Sequence, residues 1–176
     1  MTSTTTRVLV RPADDQVESI VGVIRRAFKG DITLSSMTGR NVNLEALLLR
    51  SMVRAAALEG TIYVVTDVYN TILSVGVCFQ PGTRMFSSEA QRALGWDEFF
   101  QKISEEARDW WTTQIFRKHR EALNDHLGAH YLDSWFANII ATDPEHQRKG
   151  YATSIVRAVC ARVGILVVFV WALLTD

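Results

Sequence analysis

The segment from Gln147 to Thr153, with the sequence Gln-Arg-Lys-Gly-Tyr-Ala-Thr, is the part of the chain best suited to binding a ligand. It joins an apolar run at residues 134–141 to a stretch at residues 152–163 whose apolar residues recur at helical spacing. This pattern predicts a strand, a turn and a helix. A helix start attracts anions, because about four backbone N–H groups lack partners there and the helix dipole is positive.

The residue types within this segment favour a phosphate as the anion. Gly150 and Ala152 are small enough to let a phosphate approach the backbone, and Arg148 and Lys149 add cationic side chains. The spacing differs from the Gly-x-x-x-x-Gly-Lys-Ser/Thr of nucleoside triphosphate loops and from the Gly-x-Gly-x-x-Gly of dinucleotide-binding turns. We therefore expect a phosphate site of another kind.

The stretch from Ile140 to Ala152 resembles the acetyl-CoA-binding segment of the GNAT superfamily of N-acetyltransferases, whose pattern is Gln/Arg-x-x-Gly-x-Gly/Ala after a strand. The resemblance implies that the strand end pairs through its backbone with the pantetheine arm and that the turn holds the pyrophosphate. It implies direct attack of an amine on acetyl-CoA, with a backbone N–H near Ile140 stabilising the oxyanion. The implied cofactor-binding residues are Ile140, Ala141, Thr142, Gln147, Arg148, Lys149, Gly150, Tyr151, Ala152 and Thr153.

The elements ahead of this segment agree with that resemblance. The sequence predicts a short strand at residues 8–10, a helix capped by Asp14, a second helix capped by Asn43, and a hairpin of strands at residues 61–66 and 72–79. This order is that of a GNAT domain. The expected fold class is therefore α/β (α+β), a GNAT-like acyl-CoA N-acyltransferase fold with a mixed twisted sheet flanked by helices.

Two side-chain patterns carry more specific expectations. In the second hairpin strand, Ser74, Gly76 and Cys78 form a face of small residues that could lie beside a bulky group. In the helix after the turn, Cys160 falls on the apolar stripe, so we expect it to be buried, as we expect for Cys78.

A helical insertion is expected at about residues 86–128, before the cofactor-binding strand. Its aromatic residues recur at helical spacing, which is most often a core stripe. The functional alternative is that Trp110 and Trp111 wall an acceptor pocket, because ligand sites are mostly apolar and aromatic. The cationic run at residues 117–120 is interpreted as a solvated face.

The sequence does not reveal a general base. Asp109, Asp133 and Asn138 are polar candidates, yet residues of these types are more often at turns or on the surface. His126 and His130 lie four residues apart near Asp125 and Asp133, but no further ligand has supporting spacing, so no metal site is expected.

Composition narrows the class of protein. The 176 residues suit one domain, and 19 basic residues balance 19 acidic ones, which argues against a nucleic-acid or anionic-membrane partner. The first residues lack the apolar core of a secretory signal, and the cysteines show no disulfide pattern. We therefore expect a cytoplasmic protein whose oligomeric state is open.

The segment from Gly164 to Asp176 is apolar but too short to span a bilayer of roughly 30 Å as a helix. It favours a buried strand beside residues 134–141. The closing elements of a GNAT domain are therefore expected to be missing.

The predicted function is N-acetylation of a primary amine of a small molecule or protein. The alternatives are a truncated, inactive acyl-CoA-binding module and a domain whose aromatic stripe binds a protein partner.

Overall fold

The computed structural model of this chain describes residues 4–128, 133–163 and 167–169. The strands are β1 (Thr5–Leu9), β2 (Thr61–Thr66), β3 (Ile72–Phe79), β4 (Trp135–Thr142) and β5 (Val167–Phe169). The helices are α1 (Asp14–Ala27), α2 (Ile32–Met37), α3 (Glu45–Glu59), α4 (Glu89–Arg92), α5 (Trp96–Lys102), α6 (Glu105–Trp110), α7 (Arg120–Leu127) and α8 (Tyr151–Val163). Short 3-10 turns at Val42–Leu44 and Pro144–His146 and a π-helix at Trp111–His119 complete the described elements.

The strands form one sheet in the order β1-β2-β3-β4-β5. The first three pairings are antiparallel, and β4 pairs with β5 in parallel. This is the mixed sheet expected from the sequence. The predicted C-terminal strand beside β4 is confirmed at Val167–Phe169, while the other residues from 164 onward lie outside the described residues.

Helices cover both faces of the sheet. On one face, α1 and α3 pack against inward-pointing residues such as Val75, Val77 and Ile139. On the other face, α8 packs Ile155 and Val159 against residues of β2, β3 and β4. The hydrophobic core is thus divided between two layers, and α8 is the described helix that covers the second.

The two cysteines differ in burial. Cys78 is buried under α8, as expected. The expectation that Cys160 is buried was wrong, because Cys160 is exposed. It follows the buried Val159 by one residue, which turns its side chain about 100° around the helix and away from the sheet.

The small face of β3 is explained by the close approach of α8. A Cβ atom built on Gly76 would lie 2.6 Å from Ile155 Cγ2, nearer than two carbon atoms can pack. Glycine at position 76 therefore allows α8 to lie directly on the sheet, and the predicted bulky neighbour is Ile155.

Two predicted helix caps were wrong by a short distance. The N-cap of α1 is Ala13 rather than Asp14, and the Ala13 N–H donates to Gln16 Oε1 at 3.0 Å. Asn43 lies inside a 3-10 turn, where Asn41 accepts from its N–H at 3.1 Å. Periodicity locates a helix, but its end depends on which polar side chain reaches the free N–H groups.

The helical insertion packs as a cluster of aromatic rings. Trp96 stacks on Phe86 at 4.3 Å between ring centroids and meets Trp111 edge-on at 4.9 Å. The Trp111 indole N–H donates to Met37 O at 2.8 Å, which ties the insertion to α2. Trp111 is buried and Trp110 is half-buried, so the core interpretation of the aromatic stripe holds for Trp111.

Candidate functional site

Among the described residues, strand β4 is paired along only part of the edge that faces away from β3. It pairs with β5 through Trp135, Phe136 and Ala137, and no described strand pairs with that edge from Asn138 to Thr142. Every second residue of a strand directs its N–H and C=O to the same edge, so this stretch offers backbone groups to an extended ligand. The predicted arm contacts, Ile140 to Thr142, lie within it.

The side chains of these arm residues are occupied by the core. Ile140 packs toward α8 and Ala141 toward α1, while Thr142 Oγ1 lies 2.9 Å from Ser74 Oγ. Their contribution to a ligand must therefore come from the backbone, as the resemblance implies.

The turn after β4 begins with a fixed carboxylate. Asp143 Oδ1 accepts from the Glu145 N–H at 3.2 Å, which caps the 3-10 turn. Its Oδ2 accepts from Arg26 of α1, with Nε at 2.7 Å and Nη2 at 2.6 Å. This ion pair joins the turn to a helix on the opposite face of the sheet.

Two residues of the turn before α8 have a left-handed backbone conformation. Arg148 has φ +59° and Gly150 has φ +77°, both in the left-handed region. A Cβ on Gly150 would meet no atom within 4 Å, so the space beside it is open. Successive residues of opposite hand direct neighbouring N–H groups into one concavity, which is how backbone nests bind anions.

The first turn of α8 adds further donors. The Ser154 N–H is bonded to Gly150 O at 2.9 Å, which leaves the N–H groups of Tyr151, Ala152 and Thr153 without an α-helical acceptor. Tyr151 and Ala152 are half-buried against the core under α8, and Thr153 is exposed. The structure brings all the predicted turn residues, 147–153, together at one helix start.

The cationic side chains of the turn lie at its surface. Arg148 and Lys149 are exposed, and Lys149 Nζ folds back to Glu145 O and His146 Nδ1 at 3.3 Å each. Gln147 Nε2 donates to Thr142 O at 3.5 Å, across the turn. The positive charge thus stands beside the helix start rather than within the core.

A cavity of about 570 Å³ lies on the α1 face of the sheet and reaches β4. The insertion forms much of its wall, and Trp111 lines it, whereas Trp110 does not contribute to the described lining. The predicted acceptor-pocket role therefore fits the position of Trp111 and not that of Trp110. A volume of this size is typical of small-molecule sites.

A β-bulge joins this cavity to the strand. Val77 faces Ile139 and Cys78 faces Ala137, so Asn138 has no opposite residue on β3. As a result both Asn138 and Ile139 line the cavity, which strict alternation would prevent. Asn138 Oδ1 is buried without a hydrogen-bond partner among the described residues.

The other polar candidates lie elsewhere. Asp109 and Asp133 are exposed and do not contribute to the described cavity lining. His126 is exposed, with Nδ1 2.7 Å from Ala122 O, and His130 lies outside the described residues. In the described part of the chain, no group of three potential metal ligands comes together.

A cysteine nucleophile does not fit this site. Burial raises the pKa of the Cys78 thiol to about 12, so at neutral pH it is protonated. It lies under α8, on the face opposite the cavity. Cys160 is exposed on the outer side of α8, also away from the cavity. Neither cysteine is therefore placed to form a covalent intermediate in the cavity.

Within residues 4–128, 133–163 and 167–169, no helix is long and apolar enough to cross a membrane. No protein-family model and no curated protein sequence matches the chain.

Solved structures do match the fold. A Corynebacterium glutamicum protein described as histone acetyltransferase HPA2 and related acetyltransferase superposes with a TM-score of 0.57 and 16% identity, covering 92% of this chain and 72% of its own. Arylalkylamine N-acetyltransferase 2 from Aedes aegypti gives 0.57 and 12%, and the mosquito arylalkylamine N-acetyltransferase like 5b gives 0.55 and 18%. Each of the two covers 93% of this chain and 73% of its own. The chain has the fold of the GNAT N-acetyltransferases.

Proposed function

We propose that this protein is an N-acetyltransferase that transfers the acetyl group of acetyl-CoA to a primary amine of a small molecule or protein. One observation supports the proposal: the edge of β4 from Asn138 to Thr142, which no described strand pairs with, leads directly into the left-handed turn at the start of α8. An extended thioester arm needs the former and a pyrophosphate needs the latter.

The proposed binding mode uses backbone groups throughout. The pantetheine arm pairs with the β4 edge at Ile140, Ala141 and Thr142. The pyrophosphate is held by the N–H groups of residues 147–153, with Arg148 and Lys149 adding positive charge at the surface. Acetyl-CoA is a co-substrate in this scheme, and no metal takes part.

The proposed chemistry is a direct transfer. The neutral amine attacks the thioester carbonyl carbon, the oxyanion accepts a hydrogen bond from a β4 backbone N–H near Ile140, and the C–S bond then breaks. The acetyl group leaves with the amine, and the CoA thiolate gains a proton as the amine loses one. The β-bulge at Asn138 brings the acceptor cavity to this point of the strand.

The names of the structural neighbours support acetyl transfer without fixing the acceptor. One is described as a histone acetyltransferase and two as arylalkylamine N-acetyltransferases, so this fold serves both protein and small-molecule amines. We place this protein in the cytoplasm, and we propose no nucleic-acid or membrane partner, since its 19 basic residues balance its 19 acidic ones.

The test is a thermal shift followed by a thiol-release assay. Acetyl-CoA at a hundred times its dissociation constant should stabilise the folded protein by about 2.7 kcal/mol. Gly150→Glu should abolish this shift, because the carboxylate fills the open space beside Gly150 and repels the pyrophosphate. CoA release that depends on an added amine then separates an enzyme from an inactive binding module.

Gly82→Glu is the matched control. Gly82 has φ +79° and equally open surroundings, so the two variants share a backbone strain of about 1–3 kcal/mol. Only Gly150→Glu should lose the response to acetyl-CoA. If both variants retained it, the turn would not be the pyrophosphate site.

A further inference from the structure

We propose that the acceptor is a primary amine carrying an uncharged, apolar group of the size of a benzene ring or a short alkyl chain. This inference rests on the proposed acetyl transfer and names its substrate class. It follows from the lining, the position and the charge of the cavity described above.

The lining is apolar on several sides. Aromatic and aliphatic side chains reach the cavity from the insertion, α1, α2 and β4. Its aromatic walls include Trp96, Phe100, Trp111, Phe116 and Phe136. Such walls favour an apolar occupant, because burying its surface is worth about 25 cal/mol per Å² whereas burying an unpaired polar group is costly.

The position of the cavity fits an acceptor. Phe136, Asn138 and Ile139 line it from β4, directly before Ile140, the first proposed contact of the cofactor arm. A group bound in the cavity therefore lies next to the strand edge that would carry the thioester. A pocket elsewhere on the molecule could not deliver an amine to that edge.

The charges on the described lining argue against a polycationic acceptor. They are one carboxylate, Asp31, and two guanidinium groups, Arg84 and Arg92. Asp31 already accepts from the Leu34 N–H at 2.8 Å as the cap of α2. Arg84 lies over the Phe136 ring, with its guanidinium carbon 3.8 Å from the ring centroid. Guanidinium groups on the lining oppose the positive charges of polyamines and lysine-rich peptides, and they favour the neutral form of an amine, which is the form that attacks.

Asn138 gives the amine a polar contact at the cavity wall. Its amide carries an acceptor oxygen and two donor hydrogens, and Oδ1 has no hydrogen-bond partner among the described residues. Rotation of the amide by about 180° around the last bond of the side chain exchanges the positions of its oxygen and nitrogen without moving the backbone. Asn138 can thus accept from the N–H of an amine whose apolar part fills the cavity.

The experiment compares amines in the thiol-release assay with acetyl-CoA. We expect kcat/KM for 2-phenylethylamine and hexylamine to exceed that for spermidine and for a lysine-containing peptide by roughly 10- to 100-fold, the range that apolar pocket contacts give. Turnover of spermidine or the peptide in preference to the apolar amines would overturn the inference while leaving the acetyltransferase proposal standing.

A binding measurement that does not require turnover provides a second test. 2-Phenylethylamine should change the tryptophan fluorescence of the protein in a saturable way without acetyl-CoA, because Trp96 and Trp111 line the cavity. If acetyl-CoA gives neither a thermal shift nor CoA release but the arylamine still binds, the proposed activity fails and the cavity inference is supported. Absence of both responses overturns both.

A matched pair of variants locates the site. Phe116 lines the cavity and is 42% exposed, so Phe116→Asp places a charge at the cavity without removing a fully buried side chain. We expect KM for 2-phenylethylamine to rise about 10-fold, with the acetyl-CoA thermal shift unchanged. Tyr69→Asp changes an aromatic ring that is 85% exposed and outside the described lining, and it should change neither value. Equal KM values for the two variants would contradict the assignment.

Discussion

The two faces of the sheet are built in different ways. The proposed cofactor site belongs to one continuous segment, Ile140 to Thr153, which passes from β4 into α8. The proposed acceptor cavity on the other face collects residues from α1, α2, the insertion and β4. The first depends on local backbone conformation, and the second depends on how distant elements pack.

This difference has a practical consequence. A change in the α8 segment should alter cofactor binding without altering the cavity, whereas a change in the insertion should do the reverse. Two described contacts link the two sides of the sheet and are exceptions to this separation. They are the contact of Gly76 with Ile155 and the ion pair between Arg26 and Asp143. The following predictions test how separate the two faces are.

The largest effect is expected where α8 meets the sheet. Gly76→Ala places a methyl group 2.6 Å from Ile155 Cγ2, and overpacking of this kind costs about 1–3 kcal/mol of unfolding free energy. Ile155→Ala removes a fully buried side chain and should cost about 2–5 kcal/mol. The double variant should be more stable than the sum of the single effects implies, because the smaller side chain on α8 leaves room for the methyl group added on β3.

Urea denaturation of the three variants measures this coupling. The acetyl-CoA thermal shift should weaken in each single variant, since α8 carries the helix start of the cofactor site. Strict additivity of the two changes would mean that α8 and β3 do not meet as closely as the structure indicates.

Much of the fold follows from local sequence patterns. Apolar periodicity identified α1, α3 and α8, and alternation identified β2 and β3 with their short connection. The small face of β3 was also correctly interpreted. The burial of single residues was predicted less well, as with Cys160. Periodicity shows which side of a helix is apolar, but it does not show which residue marks the border of the buried stripe.

The sequence revealed less of the candidate site. The turn residues were found because the motif is contiguous, and Asn138 was only one of three polar candidates. No local pattern marks a β-bulge, and nothing in either segment links Arg26 to Asp143, which are 117 positions apart. Cavity walls likewise depend on tertiary packing, so the aromatic stripe alone could not show that Trp111 lines the cavity and Trp110 does not.

On the acceptor face, Trp111→Phe should have the next largest effect. It removes the indole N–H that donates to Met37 O at 2.8 Å and leaves a buried carbonyl oxygen unsatisfied, at a cost of about 1–3 kcal/mol. KM for the amine should rise, because the wall between α2 and the insertion loosens. Thermal unfolding and steady-state kinetics check the two effects.

Trp110→Phe is the control for this change, since Trp110 is half-buried and outside the described lining. It should leave KM for the amine near the wild-type value. In both variants the acetyl-CoA thermal shift should persist. Loss of that shift in Trp111→Phe would show that the two faces are not separable.

The ion pair between Arg26 and Asp143 tests the link between the faces. Asp143 has a side chain only 10% exposed and begins the cofactor turn, so Arg26→Ala should loosen that turn and weaken acetyl-CoA binding several-fold. The loss of folding stability should be about 1 kcal/mol, because Arg26 itself is largely exposed. Isothermal titration with acetyl-CoA and urea denaturation measure the two quantities.

Arg54→Ala provides the comparison for Arg26→Ala. Arg54 pairs with Asp14, whose side chain is 90% exposed, and this pair lies between α1 and α3, away from the turn. The affinity for acetyl-CoA should stay unchanged. Equal weakening by both substitutions would indicate a general loss of stability rather than a specific role for Asp143.

The smallest effect is expected for a surface pair on the acceptor face. Arg50 Nη2 donates to Glu18 Oε2 at 2.8 Å between α3 and α1, and this hydrogen bond lowers the pKa of Glu18. A lowered pKa stabilises the fold above the unfolded value of about 4.3, and the stabilisation disappears as pH falls through the folded value. Glu18→Gln should therefore cost at most about 1 kcal/mol at pH 7 and less at a pH below the folded pKa of Glu18. Urea denaturation at both pH values measures the difference, and a cost that stayed constant with pH would exclude an electrostatic origin.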